Sequence, residues 1–250
     1  MGRFHRHEDG TVHAHDHEHA HGDHGGYETG AQRIDVLESI FAENDVRADI
    51  NRDIFARNGI RALNLMSSPG SGKTTVLAAT LDELAGAVAV GVVEGDIATD
   101  LDAARLGGRG AQISLLNTAE GFGGECHLDA PMVNRALQGL ELSTLDLVII
   151  ENVGNLVCPA EFDVGEHAKA MVYSVTEGED KPLKYPVMFR AVDVVLLNKI
   201  DLVPHLDVDI DTYIAHVRQV NPTAPVLPLS ARTGAGMPAW FDWLRHFLEG

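Results

Sequence analysis

The residues best placed to do chemistry form a run of small and polar side chains, Ser67-Ser68-Pro69-Gly70-Ser71-Gly72-Lys73-Thr74-Thr75. It follows a short apolar stretch and opens a helical pattern. The run fits G-x-x-x-x-G-K-[ST] except that Ser67 stands where the first glycine would be. A glycine-rich turn lets backbone N–H groups converge on phosphate oxygens, and the helix N-terminus behind it adds a favourable dipole. In such a loop Lys73 reaches the β/γ-phosphates and the Thr74 hydroxyl ligates Mg²⁺. Gly70, Ser71, Gly72 and Thr75 complete the expected cradle. Serine at position 67 can still make the turn if its backbone angles permit.

A second element, Glu151-Asn152-Val153-Gly154, follows the apolar run Leu145–Ile150. A carboxylate at a strand's end can hold Mg²⁺ through water or orient an attacking water, and the N–H of a nearby glycine can meet a γ-phosphate. Asp96 in Glu94-Gly95-Asp96 is a further Mg²⁺ ligand candidate, with Asp100 as the alternative in the same stretch. Lys73, Asp96 and Glu151 are thus the candidate catalytic residues, and Thr74 and Asp96 the candidate Mg²⁺ ligands.

Asn198-Lys199-Ile200-Asp201 comes about 125 residues after Lys73 and directly after another apolar run. The carboxylate of Asp201 can accept from guanine N1–H and the 2-amino group together. Adenine offers no such pair, so it would leave the carboxylate unpaired and desolvated, which is a strong basis for rejection. The Lys199 methylenes can lie on the base while Asn198 braces neighbouring loops. A backbone N–H of Ser230-Ala231, after the last strand, can meet guanine O6. These positions predict a site for GTP and GDP.

Thiolate and imidazole are ligands preferred by zinc and other late transition metals. Cys126-His127 and Cys158 therefore form a candidate metal set, against the plainer reading of two small buried hydrophobes and a loop histidine. Cys158 lies four positions beyond Gly154. A γ-phosphate that ordered this segment would also move a metal ligand, which would link metal affinity to nucleotide state. Eight of the thirteen histidines fall within residues 1–26. Among them His13, His15, His17, His19 and His21 alternate with Ala, Asp and Glu, and a flexible chain could fold several imidazoles around one ion. A purification tag would be an uninterrupted run.

The elements that must hold these groups alternate. After a low-complexity tail (1–30), expected to be disordered, residues 31–58 read as a helical extension. Ile34, Leu37, Ile40 and Phe41 make one apolar stripe, Ile50, Ile54 and Phe55 another, with Asn44-Asp45 as a point where the helix could break. Within 59–250, strands are expected at 62–66, 88–93, 113–116, 145–150, 192–197 and 226–229. Helices are expected at 74–84, 130–140, 210–220 and 238–248. Continuous apolar strands alternating with helices predict an α/β fold, a mostly parallel sheet covered on both faces.

Composition narrows the possible roles. The chain has 250 residues and a formal charge of −18, which disfavours nucleic acid and anionic lipid as partners. Two cysteines make no disulfide scaffold. No apolar run approaches the ~20 residues of a membrane span, and no secretory signal is evident, so the expected location is cytoplasmic.

The motifs Ser67–Thr75, Glu94–Asp96, Cys126–Asp129, Glu151–Pro159 (ENVGNLVCP), Ser174–Tyr185 (SVTEGEDKPLKY) and Asn198–Asp201 resemble those of the nickel-incorporation GTPases of hydrogenase maturation, the HypB family. The resemblance runs from about Arg33 to the C-terminus. It implies a P-loop NTPase fold and delivery of Ni²⁺ to the large subunit of [NiFe] hydrogenase, together with accessory maturation proteins. It also implies a GTP-dependent homodimer with metal, Ni²⁺ or Zn²⁺, where Cys126, His127 and Cys158 of two subunits meet. Some members begin with a cysteine-rich nickel motif; this N-terminus has no cysteine and carries the histidine tail instead. Two alternatives are nickel storage with a secondary GTPase domain, and a GTPase chaperone for another metalloenzyme.

Overall fold

The central strands bury side chains on both faces, as a parallel sheet sandwiched by helices requires. The computed structural model describes residues 5–6, 12–13, 30–95, 106–116, 127–155 and 162–250. The chain divides into two units. Met1–Ser39 contains the short antiparallel pair β1 (His5–Arg6) and β2 (Val12–His13) and the start of α1 (Gly30–Asn58). The rest of the tail, including His15, His17, His19 and His21 and the expectation of disorder, lies outside the described residues.

The second unit, Ile40–Gly250, carries the sheet. Its strands are β3 (Arg61–Ser67), β4 (Val90–Glu94), β5 (Gln112–Leu115), β6 (Leu147–Gly154), β7 (Ala168–Ser174), β8 (Val194–Asn198) and β9 (Val226–Pro228). Their spatial order is β5-β4-β6-β3-β7-β8-β9, and every pairing in this sheet is parallel. Pro228 is tolerated because β9 is an edge strand.

Alternate residues of each strand face opposite layers. Leu63, Leu65, Ile149, Val172 and Leu196 pack with α2 (Lys73–Leu84) and the closing helix Met237–Glu249, through Leu77, Leu81, Trp240 and Leu244. On the other face Ala62, Val93, Val148 and Ile150 meet Phe55 of α1 and Met132, Val133 and Ala136 of α3 (Ala130–Leu137). Farther along that face, Met66, Met171, Tyr173 and Leu197 meet Phe189, Tyr213 and Val217, from the helices Pro186–Arg190 and Ile210–Val220. Among the described residues no helix is long and apolar enough to cross a membrane.

The structure corrects three sequence expectations. The strand β7 was not expected, although it sits near the middle of the sheet between β3 and β8. Two small alanines and Lys169 dilute its apolar signal; Lys169 resolves the conflict by reaching Glu166 at 3.3 Å. Helix α1 runs unbroken through Asn44-Asp45. Asn44 does not turn on its own backbone, because its amide donates to the Asp163 carbonyl at 2.8 Å and accepts from Ala130 N–H at 2.9 Å. Finally, β6 does not stop at Ile150. Glu151 through Gly154 belong to the strand, since Glu151 pairs with Glu94 and Leu65, and Gly154 with Ser67.

Candidate functional site

The chain leaves β3 for the far side of the sheet before returning, so the C-terminal end of β3, between β6 and β7, is the crevice where the winding direction changes. In open α/β sheets that crevice is where ligands bind. The Ser67–Thr75 loop lies there. It lines a cavity of about 390 Å³ together with Gly154 and Lys199.

The loop's geometry follows from its glycines. Gly70 and Gly72 have φ of 73° and 97°, in the left-handed region that side chains rarely adopt. A Cβ on Gly72 would also lie 2.6 Å from Asn198 Nδ2. Ser67 needs no such freedom: it is still in β3, paired with Gly154, and its φ is not positive. That accounts for serine in place of the first glycine. Gly154 comes so close that an added Cβ would stand 3.3 Å from Pro69 Cα.

Lys73 and Thr74 converge on the end of β6. The Lys73 ammonium donates to the Asn152 carbonyl and lies 3.4 Å from Glu151 Oε1. Thr74 Oγ1 donates to the same Oε1 at 2.9 Å. Glu151 is fully buried, and among the described residues its Oε2 has no hydrogen-bond partner. Thr75, at the mouth of α2, faces both this cavity and a second one.

The second cavity, about 170 Å³, is lined by Asn198, Asp201, Ser230 and Ala231, among others. It shares Gly72, Thr75 and Lys199 with the first, so the two cavities adjoin along these residues. Asn198 braces both ends: its amide donates to the Ser71 carbonyl at 2.9 Å and accepts from Ala231 N–H at 3.1 Å. Lys199 is the only residue other than glycine with positive φ among those described, and this turns its side chain across the loop to Gly70 O at 2.5 Å. Ser230 Oγ donates to Asp201 Oδ1 at 2.6 Å.

Glu177, within the Ser174–Tyr185 motif, is a contributor to which the sequence alone gave no role. Its carboxylate accepts from Ser68 Oγ in the phosphate loop and from Ser174 N–H at 2.9 Å, in a capping box that starts at Ser174, the last residue of β7. The hydroxyls of Tyr173 and Tyr213 donate to the Gly178 and Val175 carbonyls of the same segment. Burial pushes the Tyr213 phenol up to about 12 and Tyr173 higher still, so both stay protonated donors.

Of the candidate metal residues, His127 is described. Its ring stacks on Phe162 with centroids 4.0 Å apart, and Phe162 packs on Phe41 of α1 at 5.2 Å. Helix α1 also grips the segments that flank this pair. Asn51, fully buried, donates to the Ala130 and Val164 carbonyls at 3.0 and 2.9 Å. Cys126, Cys158 and Asp96 lie outside the described residues, and of His13 only its place in β2 is described. Among the described residues no group of three or more His, Cys, Asp or Glu could hold a metal.

Residues 61–228 match the CobW/HypB/UreG nucleotide-binding domain. The chain is 49% identical over 216 residues to the hydrogenase maturation factor HypB of Azotobacter chroococcum, spanning 86% of this chain and 70% of that one. It belongs to the HypB family of hydrogenase maturation GTPases. Among solved structures it is similar to HypB from Archaeoglobus fulgidus, with a TM-score of 0.77 and 36% identity over 83% of this chain and 99% of that one. It is also similar to HypB from Helicobacter pylori, solved in complex with nickel, with a TM-score of 0.76 and 35% identity over 83% of this chain and 95% of that one. Family membership accounts for the two adjoining cavities: a GTPase needs a phosphate cradle beside a base pocket.

Proposed function

We propose that this chain binds and hydrolyses GTP in order to deliver nickel to the apo large subunit of [NiFe] hydrogenase, working with accessory maturation proteins in the cytoplasm. The carrying observation is the pair of adjoining cavities, one at the Ser67–Thr75 loop and one at Asp201, in a chain nearly half identical to a hydrogenase maturation factor. Gly70 to Thr75 and Gly154 would hold the phosphates. Asn198, Lys199, Asp201, Ser230 and Ala231 would hold guanine. Lys73 would turn from Asn152 and Glu151 to the β/γ-phosphates and stabilise the charge that spreads over them.

The buried Oε2 of Glu151, without a partner among the described residues and beside the Thr74 hydroxyl, suits a hydrated divalent cation. Thr74 and Asp96 would hold Mg²⁺, with Glu151 reached through water. When bound, Mg²⁺ neutralises phosphate charge. Glu151 would also orient the attacking water. Nickel is the cargo. His127, with Cys126 and Cys158, would receive it, and Zn²⁺ has affinity for the same donor types. Three ligands from one chain leave a position open, which suits exchange and the pairing of two chains in a GTP-dependent homodimer.

The test is complementation. In cells lacking their own copy, the wild-type chain should restore hydrogenase activity, and Lys73→Ala should not. No restoration by the wild type at any nickel level would sink the proposal. The histidines of residues 1–26 favour a second reading, nickel storage. Deleting those residues separates the two: a storage protein fails at every nickel level, whereas a delivery protein still works when nickel is ample.

A further inference from the structure

Asn152 is fully buried at the end of β6, and its polar groups point to different parts of the molecule. Its main-chain carbonyl accepts from the Lys73 ammonium. Its side-chain Oδ1 accepts from Leu128 N–H at 3.1 Å and from Val153 N–H at 2.9 Å. Its Nδ2 donates to Asn64 Oδ1 at 3.3 Å. One residue therefore touches both the phosphate lysine and the amide next to His127.

Leu128 has little freedom to ignore a movement of Asn152. Its side chain is fully buried, and a Cβ placed on Gly95 would fall 2.3 Å from its Cδ1. Gly95 in turn donates to the Glu151 carbonyl at 3.0 Å. The end of β4, the end of β6 and the His127–Leu128 segment are thus packed as one unit.

Nucleotide binding would disturb this unit at one point. A phosphate oxygen is a stronger acceptor for an ammonium than a peptide carbonyl is, because both partners are then charged. Lys73 would leave the Asn152 carbonyl, and that peptide would lose its cationic partner. Any adjustment at Asn152 reaches Leu128 N–H through Oδ1, and His127 is the next residue.

We propose that Asn152 is a positioning residue that transmits occupancy of the phosphate loop to the placement of His127. The inference rests on His127 being a metal ligand, as proposed above. It differs from through-space attraction between phosphate and metal, because Asn152 carries no charge and removing its side chain leaves those charges in place.

The test uses the full chain, Ni²⁺ alone as the metal, and saturating GDP or a non-hydrolysable GTP analogue. Thiolate-to-nickel charge-transfer absorption reads out Cys-bound nickel without interference from the tail, because Cys126 and Cys158 are the only thiols. The wild type should show an affinity ratio between nucleotide states of at least about fivefold, the floor of typical allosteric coupling, and Asn152→Ala should bring it within about twofold. Asn64→Ala damages the same buried cluster without touching Lys73 or Leu128, and should keep the wild-type ratio. Should Asn152→Ala not fold, hydrogen exchange at the Leu128 amide of the wild type decides: it should differ between the two nucleotides, and equal exchange overturns the relay. A nucleotide-dependent band that survives Asn152→Ala would overturn the relay while leaving the metal site standing. Absence of any thiolate–nickel band in the wild type would remove both.

Discussion

Ser230 Oγ donates to Asp201 Oδ1 at 2.6 Å, across the pocket proposed for guanine. The two residues are 29 positions apart and reach each other because β8 and β9 are neighbours in the sheet. The contact fixes the carboxylate before any base arrives. A pre-set acceptor for two donors is a strong filter against adenine.

Asp201→Asn should therefore shift preference from GTP towards xanthine nucleotides, whose base offers an acceptor where guanine has its amino group. Two charge-assisted hydrogen bonds, each about 1.5–3 kcal/mol, are weakened, so GTP affinity should fall by roughly two to four orders of magnitude. Titrating GTP, XTP and ATP against both proteins measures this. Equal ATP and GTP binding by the wild type would refute the assignment.

Lys73 and Glu151 form an ion pair with side-chain exposures of only 4% and 0%. Lys73→Ala should abolish hydrolysis, and it should also cost about 3–5 kcal/mol of stability, because it leaves a buried carboxylate without its cation. Adding Glu151→Gln should recover most of that stability and none of the hydrolysis. Single-turnover GTP hydrolysis and denaturant melts distinguish the two effects. Wild-type hydrolysis by Lys73→Ala would mean the phosphate loop is assigned wrongly.

Asn51 bridges the Ala130 and Val164 carbonyls and accepts from Asn134 Nδ2 at 2.8 Å. Asn51→Ala strands these buried groups and should cost about 2–4 kcal/mol. Urea unfolding provides the number. A loss below about 0.5 kcal/mol, the level of an ordinary surface change, would show that α1 does not clamp the segments on either side of His127 and Phe162.

His167 accepts the Ala62 N–H at Nδ1, 3.0 Å away. Burial first, then the positive charges of Arg61 and Arg52, lower its pKa below the ordinary 6.5. The unfolded chain thus binds a proton more readily than the folded one. This contribution to stability should be complete above pH 6.5, decline as the pH falls below it, and level off beneath the folded pKa. His167→Asn, which retains an acceptor but does not titrate, should flatten that slope. Unfolding midpoints between about pH 5 and 7.5 provide the comparison, and an unchanged slope in the variant would assign the acid sensitivity elsewhere.

The phosphate loop and the Asn198–Asp201 motif were legible in the sequence because their chemistry is local. Each is a short contiguous run whose residue types and spacing, after an apolar strand, specify what it can bind. The α/β alternation was legible for the same reason, since buried strands announce themselves as apolar runs, as residues 194–197 do in the strand Val194–Asn198. Other features depended on partners far away in the chain. Strand β7 is held by β3 and β8 despite its diluted apolar signal. Asn44 stays helical because groups 86 and 119 positions away satisfy its amide. Glu177 reaches Ser68 over 109 positions, and Asn152 meets Lys73 over 79 and Leu128 over 24. A buried polar side chain must find its hydrogen bonds wherever the packed strands and helices place them, and only the tertiary structure decides that place.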